Sequence, residues 1–547
     1  MESRTLVFAA LAVLVAGYAV YGRLVARILG VDPARTTPAH ERFDGIDYVP
    51  AKSWLVLFGH HFSSICAAGP IVGPVIAVAY WGYGVSVVWI LLGAVFLGAV
   101  ADFSSLVVAV RHGGVSISEV AGQVVTPRAR ILFSTFILVA LVLVLAVFAE
   151  LAAGTFVEKP GIVLPSLGIL PVAALAGFAM YSGAGSRLRV PLVTVAGLAA
   201  LGALMGGGTL IPVELPPVLG VSPHAIWIVV LLGYCLVASV LPVQALLQPR
   251  DYLSSFVLFA TIGIGVAGAI WSSPDMNAPA ATGFMPSDWP GAGPLWPMLF
   301  VTIACGAISG FHSVVSSGTT CKQLGSEAHA CRIGYGAMLL ESLVAVLVVV
   351  CVGAGLTRVE HRELLVAPGG AIGAFGAGYG NITSAILGDY GEPFAVMALN
   401  FFILTTLDTA TRLGRYLLSE LIGLRGRVLP ALTIVAAAGA LALSGKWRAL
   451  WPAFGASNQL VAGLSLLVVA CWLMQRGRPH LPLLIPAVLM LVTTVGAFFW
   501  QIAAVVNSDD PNWLIAAIDV LLVVLAGFVL TEAWELLRRS SRSARDA

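Results

Sequence analysis

Two stretches of the chain concentrate polar side chains inside otherwise apolar surroundings. Residues 58–74 read FGHHFSSICAAGPIVGP, which sets His60, His61, Ser63 and Ser64 just ahead of a double Gly-Pro break at Gly69 and Gly73. Residues 304–320 read ACGAISGFHSVVSSGTT, where Ser309, His312, Ser313 and Ser316 fall at i, i+3, i+4 and i+7 on one helical face. Gly and Pro clustered at mid-depth of a lipid-crossing helix imply broken winding, tolerated where protein or water lines the gap. Freed carbonyls then suit cations and freed amides suit anions, while hydroxyls and imidazoles add directional contacts. This is the chemistry of holding a small polar or anionic solute. For any single Ser or Gly, close helix packing is the plainer reading; the two clusters together point to a site. Neighbours on a helix project about 100° apart, so His60 and His61 are poorly placed to share one metal ion, and no metal site is expected. A histidine titrates near neutrality, which suits proton coupling.

Ionisable residues within apolar segments are few: Asp102, Glu150, Glu341, Asp408 and Asp519. Each is costly in hydrocarbon unless paired or hydrated, so each is a site candidate. Asp408 has Arg412 one helical turn on, and Asp102 lies nine residues before Arg111, so a structural contact competes with an ion-coupling role at both. Glu341 has no local cation and is the stronger proton carrier. Arg250 and Asp251 stand at a helix start, where the acid caps free amides, and read equally as a gate, with Arg412, or as a plain cap. Residues 451–460, WPAFGASNQL, add a further Pro/Gly break with amides at Asn458 and Gln459. The expected solute contacts are His60, His61, Ser63, Ser64, Gly69, Gly73, Gln244, Ser309, His312 and Ser313, and the expected ion-coupling groups are Glu341, Asp102 and Asp408. There is no H-E-x-x-H motif, phosphate loop or set of nucleophile, base and orienting group, so neither catalysis nor a cofactor is expected.

The elements that must position these residues are membrane helices. The 547-residue chain is 59% hydrophobic and 10% charged, against about 25% charged in soluble domains. Apolar runs able to cross about 30 Å of hydrocarbon fall near 6–28, 53–80, 85–110, 131–155, 168–183, 190–211, 225–247, 253–271, 296–318, 333–356, 393–411, 428–444, 449–474, 481–504 and 513–537. The reading is thus an all-α polytopic membrane protein of about 15 spans. Residues 371–387 are too Gly-rich to count as a full span and read as a re-entrant or extracellular piece. Cationic loops resist translocation, and alternate loops hold 23 of the 29 Lys and Arg; only Arg4, Lys159, Arg358, Arg362, Lys446 and Arg448 fall in the other set. The N-terminus is therefore expected outside, on an uncleaved first helix, and the C-terminus in the cytoplasm. Residues 1–52 form that helix and its loop, 53–417 a core, and 418–547 the last helices with a short basic tail facing anionic lipid. Seven cysteines without a C-x-x-C pair suggest inert thiols.

The run at 58–74 resembles the hallmark of the carbon starvation protein A family. The likeness continues through GAVADF at 98–103, QPRDYL at 248–253, the 304–320 run, GYGAMLLES at 334–342, LTTLDTATRLGR at 404–415 and FGASNQL at 454–460. The family is similar to the amino acid, polyamine and organocation transporters, whose core is two inverted five-helix repeats of the LeuT kind. The resemblance implies a bacterial inner-membrane secondary transporter, importing pyruvate, amino acids or short peptides by proton symport, with sodium as the alternative coupling ion and a passive channel as the alternative mechanism. It further implies that span two opens the first repeat and span seven the second, with Ser316, Ser317, Thr319 and Thr320 of span nine facing the Gly69 break as a cation site. The whole reading requires spans two and nine to lose regular winding within the membrane.

Overall fold

The computed structural model describes residues 1–181, 189–424, 426–445, 447–508 and 511–546. Arg187, Arg425 and Lys446, which enter the charge count, lie outside them. The described residues form helices and no strand, with two isolated β-bridges. In chain order the principal helices are α1 (Ser3–Leu29), α2 (Trp54–Ile65), α3 (Gly69–Trp81), α4 (Tyr83–Arg111), α5 (Pro127–Glu158), α6 (Pro160–Met180), α7 (Val190–Gly208), α8 (Pro223–Val240) and α9 (Leu247–Trp271). They continue as α10 (Gly310–Gly318), α11 (Glu327–Ala354), α12 (Arg358–Val366), α13 (Gly370–Leu387), α14 (Gly391–Ile422), α15 (Val428–Ala442), α16 (Leu450–Gln475), α17 (Leu481–Val506) and α18 (Trp513–Glu532).

Twelve helical stretches among the described residues are long and apolar enough to cross a bilayer, with α13 and α14 forming one of them; the bent pair α2/α3 makes a thirteenth if taken as a single span. The chain is a multi-pass membrane protein. Leu175, Phe178, Leu192, Val195 and Ile485 stand exposed on its outer surface, as lipid contact requires. The count differs from fifteen for two physical reasons. α15 has 15 residues and reaches only about 22 Å, while 296–318 is cut into short pieces. Residues 371–387, read as too Gly-rich for a span, form the regular helix α13. Its glycines serve close approach: a Cβ at Gly378 would lie 2.4 Å from the carbonyl oxygen of Cys351 on α11.

The winding is interrupted at two places. α2 ends at Cys66, whose ψ of 80° is not helical, and α3 resumes at Gly69 after a bend of 43°. Pro70 lacks the amide that would continue the α2 ladder to the Cys66 carbonyl, while Pro74 lies inside α3. The second break is double: Phe300–Thr302 stops at Ile303 (φ −97°, ψ 51°), Ala304–Ala307 stops at Ile308 (φ −158°, ψ 128°), and α10 starts at Gly310. Asn458 of α16 takes up the freed groups, accepting from the Phe311 amide at 2.7 Å and from the Ser309 hydroxyl at 3.1 Å. The two breaks touch. A Cβ at Gly69 would lie 2.3 Å from Cys305 Sγ, and one at Gly73 would lie 2.4 Å from the Thr302 carbonyl oxygen. Glycine is what lets these backbones cross so closely. α11 packs against both α3 and the 304–307 piece.

Candidate functional site

Around this crossing lie two buried polar networks. The first is centred on Arg250 at the start of α9, which is 1% exposed. Its Nε and Nη2 donate to Asp251 at 3.1 and 2.6 Å, and its Nη2 donates to Asp408 of α14 at 3.1 Å, with a second Arg250–Asp408 contact at 2.5 Å. Tyr234 of α8 donates to the same Asp408 carboxylate at 2.8 Å and also touches Arg250. Asp251 in turn holds His60 Nδ1 at 2.6 Å. Gln323 fixes the tautomer of that imidazole. Its Oε1 accepts from Gln248 at 2.6 Å, so its Nε2 is the donor both to the Thr319 carbonyl and, at 3.1 Å, to His60 Nε2. His60 is therefore an Nδ1–H donor to Asp251 with both nitrogens occupied. The hydroxyl of Ser63 donates to the Asp251 carbonyl, and Thr406 donates to the carbonyl that Ser64 would have lost to the break. Every charge in this network has a partner, as burial demands.

The second network is centred on His312 of α10. Its Nδ1 lies 3.1 Å from Asp102 Oδ2 on α4, and its Nε2 lies 3.2 Å from Glu341 Oε2 on α11, outside hydrogen-bond alignment. All three side chains are fully buried. Asp102 Oδ1, both Glu341 carboxylate oxygens, the hydroxyls of Ser313 and Ser316, and His61 Nε2 lack partners. Glu341 is also close enough to Cys66 and Cys305, at the two breaks, for its charge to be felt at both. One imidazole thus stands between two carboxylates from two other helices in a single buried cluster. Several buried polar atoms without a hydrogen-bond partner gather here, although others, such as both carboxylate oxygens of Asp519 in α18, lie elsewhere.

Several expected pairings are corrected. Asp408 binds Arg250 rather than Arg412; Arg412 instead reaches Asp47 at 3.1 Å and the carbonyls of Ala238 and Leu241. Asp102 binds His312, while Arg111 pairs with Glu327 at 3.0 Å. The Gly69 break is met by Cys305; Ser317 and Thr319 spend their hydroxyls on the Ser313 and Val315 carbonyls, and Thr320 bonds His61 at 2.9 Å. Gln244 donates to the Gly45 carbonyl and makes no bond to either network. Sequence reasoning missed Tyr234, Gln323 and Asp47. Tyr234 carries a signal, a phenol hydroxyl inside an apolar span; Gln323 and Asp47 sit in polar loops where nothing marks them.

Asp47 belongs to a segment that straps one face of the molecule. It binds Arg412, Arg415 and, at 2.6 Å, the Tyr416 hydroxyl. Burial opposes its charge, but Arg415 and Arg412 outweigh that and hold its carboxyl below the usual range. Backbone bonds from Val243 to Ile46 and from Ala51 to Gln323 tie the same segment across the starts of α9 and α2.

A family model described as carbon starvation protein CstA matches residues 2–368 and 354–497. The peptide transporter CstA of Escherichia coli (strain K12) is 34% identical, covering 91% of this chain and 80% of its own. The pyruvate/proton symporter BtsT of the same organism is 32% identical, over 93% of this chain and 82% of its own. The peptide transporter CstA of Bacillus subtilis (strain 168) is 32% identical, over 97% and 96%. Among solved structures, a manganese transporter of Eremococcus coleocola aligns with a TM-score of 0.48 at 11% identity, over 91% of this chain and 99% of its own.

Proposed function

The chain belongs to the carbon starvation protein CstA family, and from that premise we propose that it is a secondary active transporter importing a small carboxylate such as pyruvate, or short peptides or amino acids, by proton symport. The observation that carries this reading is the His312 imidazole set between Asp102 and Glu341, fully buried beside two broken helices. The triad is the proton site. Solute binds beside it, where His61, Ser313 and Ser316 offer unpartnered polar atoms. The Arg250–Asp251–Asp408 cluster, saturated by its own bonds, ties α8, α9 and α14 together and acts as a gate rather than a solute contact. The Asp47 strap closes the face that the charge count places in the cytoplasm, with the N-terminus outside.

The test is uptake of labelled pyruvate and dialanine into proteoliposomes under an imposed pH gradient and, separately, a sodium gradient. Symport of one proton sustains about tenfold accumulation per pH unit. Glu341→Gln is expected to abolish that accumulation while retaining solute exchange between equal concentrations. Accumulation driven by sodium alone, or unchanged in the variant, defeats the proton reading. Accumulation under neither gradient defeats symport.

A further inference from the structure

α2 and α3 together cross the molecule, so the strap beside Trp54 and the region around Trp81 lie at opposite ends. At the Trp81 end, a cavity of about 480 Å³ opens between α3, the loop after α9 and α12. Its wall is mostly apolar, including Val78 and Trp289, and its polar lining comes from Asp288, Arg358, His361, Arg362 and Glu363. Asp288 and Arg358 pair with each other. Arg362 lies over the Trp289 ring, 5.2 Å from its centre, and among the described residues neither Arg362 nor Glu363 forms an ion pair. A cation and an anion thus stand free on one rim.

His361 adds a requirement of its own. It is 4% exposed, its ring donates to the backbone carbonyl of Val75 on α3, and its Nε2 has no partner. Since the other nitrogen carries the donated hydrogen, Nε2 of the neutral ring is a lone-pair acceptor. Burial keeps the ring neutral, pushing its pKa down to about 4 against the pull of the Val75 carbonyl. His361 belongs to the cavity wall, and its buried, unpartnered acceptor asks for an N–H or O–H donor. Pyruvate has none in its keto form. A primary ammonium has three, and it also suits Glu363, while the carboxylate of the same solute suits Arg362.

We propose that this cavity is a peripheral binding site for zwitterions, such as a free amino acid or short peptide, in which His361 Nε2 accepts from the solute's ammonium group and Arg362 binds its carboxylate. The site rests on the transport reading only for its purpose, as the first station ahead of the buried one; its recognition chemistry stands independently.

The test is calorimetric titration of the full chain in nanodiscs with L-alanyl-L-alanine, N-acetyl-L-alanyl-L-alanine and pyruvate. Acetylation deletes the ammonium and keeps the carboxylate, and on the wild-type protein it is expected to weaken binding about tenfold, the scale of one charge-assisted hydrogen bond. His361→Asn is the matching variant, because the Asn amide can still donate to the Val75 carbonyl while nothing remains at the Nε2 position. It should weaken dialanine by the same factor and shrink the effect of acetylation to what Glu363 alone contributes. Arg362→Gln should weaken both peptides alike. Equal affinity for the free and acetylated peptides on the wild-type protein, or dialanine binding untouched by His361→Asn, overturns the proposal. Uptake measured in parallel separates the two readings. Pyruvate uptake without dialanine binding removes this site and leaves transport standing, whereas His361-dependent dialanine binding with no uptake of either solute keeps the site and removes transport.

Discussion

Arg250 sits between carboxylates from two helices, and burying such a set costs solvation that only its own hydrogen bonds offset. Asp408→Asn would leave the guanidinium with a single anion, and the variant is expected to lose about 3 kcal/mol, read as a lowered melting midpoint in detergent. Replacing all three charges, as Arg250→Met with Asp251→Asn and Asp408→Leu, should recover much of that loss because no unpaired charge is left behind; a triple variant no more stable than Asp408→Asn would contradict the network drawn here. The same residues show where local spacing misleads. Asp408 has a cation four positions away, yet it pairs with one 158 positions away, because Arg412 is drawn off by Asp47 and two carbonyls. His60, His61, His312 and Glu341 were legible as buried polar residues from hydropathy alone. Their partners were not, since partner choice is set by helix packing that no single segment encodes.

At the level of helices, the crossing of the two breaks depends on bare backbone. Gly69→Ala would drive a methyl group into Cys305, and overpacking of this kind costs about 1–3 kcal/mol. The variant is expected to reach the membrane with uptake sharply reduced, and Cys305→Gly, which removes both clashing atoms, should restore it. Failure of that second change to rescue would mean the breaks do not meet as described. The first break could be read from the chain because proline withholds its amide wherever it stands. The second is only half written there: Ile303 and Ile308 carry no breaking signal, and the winding is held open by Asn458 from a helix nearly 150 residues on. α13 shows the converse case, with glycines that read along the chain as a re-entrant or extracellular piece but act as flat surface where Gly378 packs against Cys351.

For the molecule as a whole, one carboxylate fastens the strap. Asp47 is held below the usual carboxylate range by Arg415 and Arg412 in spite of burial, so its stabilisation is complete above that range and fades as pH falls through its depressed value. The melting midpoint of wild type should exceed that of Asp47→Asn by a constant margin near neutrality, and the margin should narrow only below about pH 4. A gap that widened on acidification would reverse the sign of the argument. The all-helical membrane architecture was legible from composition, and the strap was not, because residues 44–51 make sense only against helices that arrive 200 and 365 residues later. The bare crossing of α3 with the 302–307 segment has a mechanical consequence. Two rods that touch through glycines on one side, and through the small Cys305 side chain and the Thr302 carbonyl on the other, have little to cushion a relative slide, so they behave as a lever on a hard fulcrum. A tilt of one rod is passed to the other with little loss, and on the transport reading proposed above a solute beside that fulcrum would change the exposure of both half-helices in a single stroke.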